Sequence, residues 1–393
     1  MDDDERPRSH SGNRAVRIAI IGSRGIPARW GGYETITEEL ATRLAARGHE
    51  VSVYCRSAYS DERRLPEYQG VKLVYTPYVR GKLLETPSHE LASAFHSLFR
   101  PYDILFVLGC RTSWCYLPHR ALRKTIVFQT DGLDWERRKW GLLARSYLKF
   151  TYWMAVQLAS DLVSDSRAVA VHFSRAYGRR PDYLTYGANV IHAPAMAILR
   201  EYSLDPGQYF LVVCRLEPEN NTDLVIRAFE QVRTDRKLAI VGGVNYRSKY
   251  VQHLRRTRDP RVMFLGPVYA PGHLDALYYY SFAYIHGHEV GGTNPALLRA
   301  MGAGCCVLAL DVPFNAEVIA DAGIKWGKSA GHLAAQMEHV LRHPELTAHY
   351  RDLAVKRVRS AYDWDLIVDE HERYFARHGG DPSEQTTRVA GSA

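Results

Sequence analysis

The strongest constraint on this chain is that its apolar segments alternate between two periods, and do so in two successive series. "VRIAIIG" (Val16–Gly22) is a short, continuous apolar run, the pattern of a strand buried on both faces. Beyond a loop, "YETITEELATRLAARGH" sets Ile36, Leu40 and Leu44 on one helical face, with Gly48 where a helix C-cap falls. "EVSVYCR" then reads as the next strand, completing a β-α-β unit. "VKLVYTPY", "DILFVLG" (Asp103–Gly109) and "TIVFQTDG" (Thr125–Gly132) continue the strands, with "HELASAFHSLFR" a helix among them. The long helical stretch "WGLLARSYLKFTYWMAVQLASD" precedes the strand "LVSDS". A second series starts near Gln208: "YFLVVCRL", "KLAIVGG", "VMFLGPV", "AYIHG" and "CVLAL" as strands, with "TDLVIRAFEQV", "YVQHLRRT", "HLDALYYYS" and "PALLRAMGAG" as helices between them. Two further helical segments, "SAGHLAAQMEHVLRHP" and "LTAHYRDLAVKRVRSAY", close it.

Alternation of this kind predicts parallel, doubly wound sheets. The 393 residues, with 46% hydrophobic content, suffice for two cores. The expected architecture is α/β: two tandem Rossmann-like domains, residues 15–195 and 205–360, facing across a cleft. The break falls around Tyr186–Gly207, where periodicity lapses. Residues 1–14 are polar, without the apolar core of a signal peptide, and read as a disordered lead; residues 379–393 read as a disordered tail. No apolar run reaches the ~20 residues of a spanning helix. Six cysteines without CxxC spacing predict reduced thiols in a cytoplasmic protein. The formal charge of +8 favours anionic partners, and no nucleic-acid-binding signature accompanies it.

Ligands of such sheets bind at the carboxyl ends of strands, so the loops there are the candidates. "GSRGIPARWGGYET" (Gly22–Thr35) joins a strand to a helix and holds four glycines with Arg24 and Arg29. Glycine admits close backbone approach, and the helix start favours anions; a long surface turn is the plain alternative. In "CRLEPENN" (Cys214–Asn221), Arg215 stands at a strand end, where its fork suits a diphosphate, unless Glu217 or Glu219 simply pairs with it. "HEVGGTNP" precedes a helix with Asn294 as N-cap and Pro295 as first helical residue, so Gly291, Gly292 and Thr293 lie at a helix N-terminus. Glu289 beside this anion site suits sugar hydroxyls better than phosphate. His286 and His288, two apart on a strand end, should point to opposite sides, which argues against a metal pair. "QTDGLDWERRKWG" (Gln129–Gly141) mixes Asp131, Asp134 and Glu136 with Trp135 and Trp140, a combination suited to carbohydrate or amine, although Asp134 alone could be a helix cap.

Taken together, "GSRGIPARWGGYET", "TDGLDWERRKWG", "RLEPENN" and "HGHEVGGTNPALLRAMGAG" resemble a branch of glycosyltransferase family 4 that includes many bacterial rhamnosyltransferases. The resemblance spans about Val16 to Arg377. It implies the GT-B fold, with residues 361–378 as a helix crossing back to the first domain. It implies a nucleotide diphosphate sugar, a dTDP-sugar such as dTDP-L-rhamnose being favoured, and retention at the anomeric carbon. Donor contacts are expected from Gly31, Gly32, Arg215, Asn220, His288, Glu289, Gly291, Gly292, Thr293, Asn294 and Arg299. Acceptor contacts are expected from Arg24, Glu34, Asp131, Asp134 and Trp135. Glu289, Asp131 and Arg215 are the catalytic candidates, with no metal or other cofactor. The acceptor would be a saccharide, a lipid-linked saccharide or a small molecule, the last including an aminocyclitol that receives a streptose-like sugar. A nucleotide-sugar epimerase and a non-catalytic nucleotide-sugar-binding relative are the alternatives. The basic-aromatic stretch Arg137–Trp153 reads first as a half-buried core helix and second as a peripheral membrane contact.

The chain departs from the family pattern in three places. Arg299 stands where a ribose-binding Glu is usual, and Arg cannot accept a hydrogen bond. Asn220–Asn221 stand where a Lys commonly follows the diphosphate Arg. The Thr130–Asp131 region replaces a first-domain His.

Overall fold

The computed structural model describes residues 14–28, 32–57, 64–81, 84–130, 132–138, 140–244 and 248–379. The first series of strands is β1 (Arg17–Ile21), β2 (Glu50–Arg56), β3 (Glu67–Tyr68), β4 (Val71–Thr76), β5 (Ile104–Leu108), β6 (Ile126–Thr130), β7 (Asp161–Ser164) and β8 (Asp182–Tyr183). They form one sheet in the order β3-β4-β2-β1-β5-β6-β7-β8, parallel except for the β3–β4 pair. The second series, β9 (Tyr209–Val213), β10 (Lys237–Val241), β11 (Val262–Gly266), β12 (Ala283–His286), β13 (Val307–Leu310) and β14 (Ile324–Trp326), forms a parallel sheet ordered β11-β10-β9-β12-β13-β14. In both, the order reverses beside the first strand of the series, which creates the crevice where such sheets bind ligands.

Strand alternation divides the side chains between layers. Ile18 and Ile20 of β1 join Phe106 and Val127 in a core covered by α1 (Gly32–Ala46). Ala19 and Ile21 join Leu105, Val107 and Phe128 in a second core. That core is covered by α2 (Glu85–Leu98), α4 (Leu142–Leu158) and α5 (Arg167–Tyr177), with the short α3 (Leu117–Ala121) joined to α2 where His119 meets Ser97. The second sheet carries α6 (Thr222–Phe229), α7 (Lys249–Leu254) and α11 (Ala330–Arg342) on one face. Its other face meets α8 (His273–Tyr279), α9 (Pro295–Gly302), α10 (Pro313–Ile319) and α12 (Pro344–Ala361), in a core continuous with that of α1.

The last helix, α13 (Trp364–His378), packs on the first sheet: Phe375 meets Phe106 edge-on, Tyr374 donates to Asp161, and Arg47 pairs with Glu372. The chain thus passes between the halves twice. The passages touch, with the Ala188 N–H donating to the Tyr362 carbonyl at 2.7 Å and Ala188 bridged to Asp363.

Some elements were not read from the sequence. α5 is an eleven-residue helix with three buried positions, Val169, Ala170 and Phe173, in an apolar stripe interrupted by His172, Ser174 and Arg175. α10 and β14, seven and three residues long, are too short to show a period. No disulfide joins the described cysteines, and no helix among the described residues is long and apolar enough to cross a membrane.

Candidate active site

β12 is buried along its whole length and ends at His286, so the loop after it opens at the carboxyl edge of the second sheet. Tyr284 Oη lies 3.0 Å from His286 Nδ1. The rings of His286 and His288 stack with centroids 4.3 Å apart and 15° between planes. They do not point to opposite sides, because His288 lies past the strand end, where alternation no longer applies. Burial pushes His286 down to about 3. It also holds His288 well below its ordinary value, with neighbouring His286, Arg215 and Arg137 adding to the effect. Both imidazoles are therefore neutral at physiological pH. No group of three or more metal-ligating side chains is assembled among the described residues.

Glu289 is the most heavily partnered group of the loop. Its carboxylate accepts from Lys328 Nζ at 2.6 Å, Asn221 Nδ2 at 3.0 Å and Arg138 Nη2 at 3.4 Å. Burial opposes ionisation, but the bonds from Lys328 and Asn221 outweigh it and hold Glu289 below the usual carboxylate range. None of these three partners follows from the sequence, since they arrive from a different strand end, the other domain and the loop before α11.

Asn294 caps α9 as its sequence predicts, its Oδ1 accepting from the Ala296 N–H at 2.9 Å with Pro295 in the first turn. The preceding residues are wedged against the first domain. Thr293 Oγ1 donates to the Asp165 carbonyl at 2.5 Å, and Gly292 lies against the Asp165 carboxylate. Gly132 has φ +56°, and a Cβ there would sit 2.7 Å from Gly291 Cα, so both position and conformation require glycine. A Cβ on Gly32 would lie 2.8 Å from Pro295, so the amino ends of α1 and α9 meet across the cleft. Gly31 and Asp131 lie outside the described residues.

Arg215 is exposed at the end of β9, close enough to His288 to depress its basicity. Asn220 braces its own loop, its amide donating to the Arg215 carbonyl at 2.7 Å. Asn221, in the left-handed region at φ +53°, is the residue that turns to Glu289. Arg299 forks onto Asp275 of α8, at 2.8 Å from Nε and 2.7 Å from Nη2. It is neither a free solvent residue nor turned to the Glu289 loop.

The acceptor side also differs from expectation. Asp134 is 1% exposed and bound by Arg111 (2.6 and 2.8 Å), Arg137 (2.9 Å) and Tyr152 Oη (3.0 Å). Burial alone would raise its pKa; the two guanidinium groups outweigh it and hold it well below the carboxylate range. Trp135 is buried edge-on against Tyr152. Neither residue presents a contact surface to an acceptor, because the mixed acidic-aromatic segment folds inward as a neutralised node. That node reaches the second domain through Arg137, 3.7 Å from Glu219. Glu34 is buried and accepts from the Arg24 N–H at 3.3 Å, shaping the first loop, while the Arg24 side chain stays partly exposed.

At the ends of β2 and β4 the structure gathers a polar group that the sequence reading missed. Arg56 pairs with Glu85, and Thr76 Oγ1 lies 3.0 Å from His89 Nδ1. Glu90, buried near Arg56 and Arg111, is pushed up to about 8 by burial against the pull of both cations.

Comparison with known proteins follows the same division into halves. Residues 30–191 match the family described as Glycosyltransferase Family 4, and residues 200–357 match Glycosyl transferases group 1. No curated protein matches the chain by sequence. Sucrose-phosphate synthase from Thermosynechococcus elongatus superposes with a TM-score of 0.76 at 17% identity, over 92% of this chain and 98% of that one. Anabaena HepE in complex with UDP and glucose gives 0.74 at 17%, over 92% and 100%. WaaG, a glycosyltransferase involved in lipopolysaccharide biosynthesis, gives 0.65 at 16%, over 90% and 98%. At such identities the likeness speaks for the fold. With both halves matched in sequence and the two-sheet architecture shared, the chain belongs to glycosyltransferase family 4 and has the GT-B fold.

Proposed function

We propose that the chain is a retaining glycosyltransferase that takes a sugar from a nucleotide diphosphate donor. The observation that carries this reading is the meeting of the α1 and α9 amino ends at Gly32 and Pro295, beside Arg215 and an ionised Glu289. Two helix starts turn their partial positive charge toward one diphosphate. Arg215 adds a fork for its oxygens, and Glu289 accepts from sugar hydroxyls. The bond from the anomeric carbon to the diphosphate oxygen breaks as the acceptor oxygen bonds to that carbon on the same face. The acceptor's proton passes to the departing diphosphate, so the protein's task is charge stabilisation and positioning. HepE's complexes with UDP-glucose support the donor class.

The branch resemblance favours a 6-deoxyhexose from a dTDP donor, and WaaG's part in lipopolysaccharide synthesis favours a saccharide or lipid-linked acceptor. An aminocyclitol acceptor loses its main motive, since Asp134 is already neutralised by arginines. The test has two stages. Thermal melting with UDP, GDP, dTDP and their sugars identifies the donor, because a ligand of the native state raises the midpoint. Radiolabelled transfer then compares a membrane lipid extract with soluble aminocyclitols. A clear melting shift with no transfer to either would leave a binding protein and overturn the enzymatic reading.

A further inference from the structure

The outer side of the helical layer on the first sheet is apolar. On α2, Leu91, Phe95 and Phe99 follow one another at four-residue spacing, with Phe95 67% and Phe99 70% exposed and their rings 5.3 Å apart. The opposite face of the same helix buries His89, Glu90, Ser93 and Ser97. On α4, Leu143, Tyr147 and Phe150 form a second exposed stripe, Leu143 at 89%, and Phe150 stacks on the exposed Trp153. Between them α3 and its flanks expose Leu117 and Leu122. The three helices make one surface. Trp114 Nε1 donates to Tyr147 Oη at 3.0 Å, Ser97 Oγ lies 3.0 Å from His119 Nε2, and Lys124 Nζ donates to the Arg100 carbonyl at 2.7 Å. Soluble monomers rarely leave contiguous apolar surface of this kind bare.

The charge on this surface has one sign. Arg100, Arg120, Arg123 and Lys149 are exposed among the apolar side chains. From Arg137 to Ser160 the sequence contains no Asp or Glu, and from Leu91 to Thr130 only Asp103, which is bonded to Arg17. By contrast, between residues 205 and 360 the only large apolar side chain so exposed among the described residues is Tyr269.

We infer that α2, α3 and α4 seat the protein on an anionic lipid bilayer. Leu, Phe and Trp side chains enter the headgroup boundary, and Arg and Lys meet lipid phosphates. A helix face with aromatics and basic residues but no carboxylates matches that boundary in both polarity and charge, whereas a neutral protein partner would not call for the cations. Because the inner face of α2 carries the polar cluster at the ends of β2 and β4, seating on this layer holds that end of the sheet close to the lipid. The inference goes beyond the transfer chemistry and needs no sugar for its test.

The full chain is sedimented with vesicles of phosphatidylcholine, or of equal parts phosphatidylcholine and phosphatidylglycerol. It should sediment with the mixed vesicles, far less with the neutral ones, and be partly released by salt. Two double variants, Phe95→Ser/Phe99→Ser and Leu142→Ser/Leu143→Ser, should each lower the bound fraction. Reversing Arg120, Arg123 or Lys149 to Glu should lower the partition coefficient roughly fivefold or more each. Melting temperature and its shift with nucleotide should stay unchanged in all of them. Equal binding of wild type to both vesicles, or wild-type sedimentation of both double variants, overturns the inference. So does a wild-type dimer in analytical ultracentrifugation that Phe95→Ser/Phe99→Ser dissociates, since the surface would then be a subunit interface. Vesicle binding without any nucleotide shift would sink the proposed transferase and leave the seating intact.

Discussion

The two halves share a topology and differ in what they place at the ends of their strands. The second sheet ends in backbone: glycines, a capped helix start and one carboxylate held ionised by Lys328 and Asn221. The first ends in side chains: Asp134 between two arginines, Arg56 paired with Glu85, and Glu90 buried with no ion pair among the described residues. Backbone N–H groups recognise any diphosphate, whereas side-chain clusters discriminate shape and charge. One fold thus carries a backbone-built edge on one half and a side-chain-built edge on the other. The outer layers divide in the same sense, apolar on the first half and polar on the second.

The largest expected effect probes the first half. Asp134→Asn leaves Arg111 and Arg137 facing a neutral amide, and should cost about 3–5 kcal/mol in urea unfolding. Its folded pKa is depressed, so its contribution is complete above the unfolded carboxylate value of about 3.9 and is lost as pH falls through the lower folded value. The acid limb of stability should be shallower in the variant; identical acid limbs would mean the node contributes nothing.

The backbone half is tested next. Arg215→Ala should lower kcat roughly 10²–10³-fold, as loss of a single charge-stabilising donor does, with little change in melting because the side chain is exposed. Retained kcat would move diphosphate stabilisation entirely to the helix starts.

A smaller effect of opposite pH sign comes from Glu90→Gln. The folded pKa is raised to about 8, so the native state holds the proton more tightly, and stability falls as pH rises from about 4.3 through that value. The variant should be more stable than wild type at pH 9 and no more stable at pH 4. A gain independent of pH would show that packing, not charge, is responsible.

The smallest effect concerns Arg299. Its pair with Asp275 is partly exposed on both sides and should contribute about 1 kcal/mol or less. Arg299→Glu alone would set two carboxylates face to face, so the informative variant is Arg299→Glu with Asp275→Asn. If it tightens nucleotide binding, measured by calorimetry, the position faces the ribose; if affinity is unchanged, the pair belongs to the scaffold.

Much of the architecture was legible because β5 and β9 are continuous apolar runs, β1 is one after its first residue, and α1 carries an apolar stripe. The α9 cap was legible from Asn294 and Pro295 alone, since capping depends on neighbours in sequence. The partners of Glu289 were not: Arg138 is 151 positions away, and only the folding of both halves together brings it near. Asp134 misled for a related reason. A carboxylate beside tryptophans reads as a ligand until the fold shows that Arg111, 23 positions earlier, has already claimed it. Arg299 reads as an intruder until Asp275 is seen opposite.

The two passages of chain between the halves lie side by side, joined at Ala188 with Tyr362 and Asp363. A pair of adjacent tethers removes sliding and leaves essentially one rotational degree of freedom, as two pins do for a door. Residues beside the pins would move least in such a swing, and the contact of Gly32 with Pro295 is what it would open.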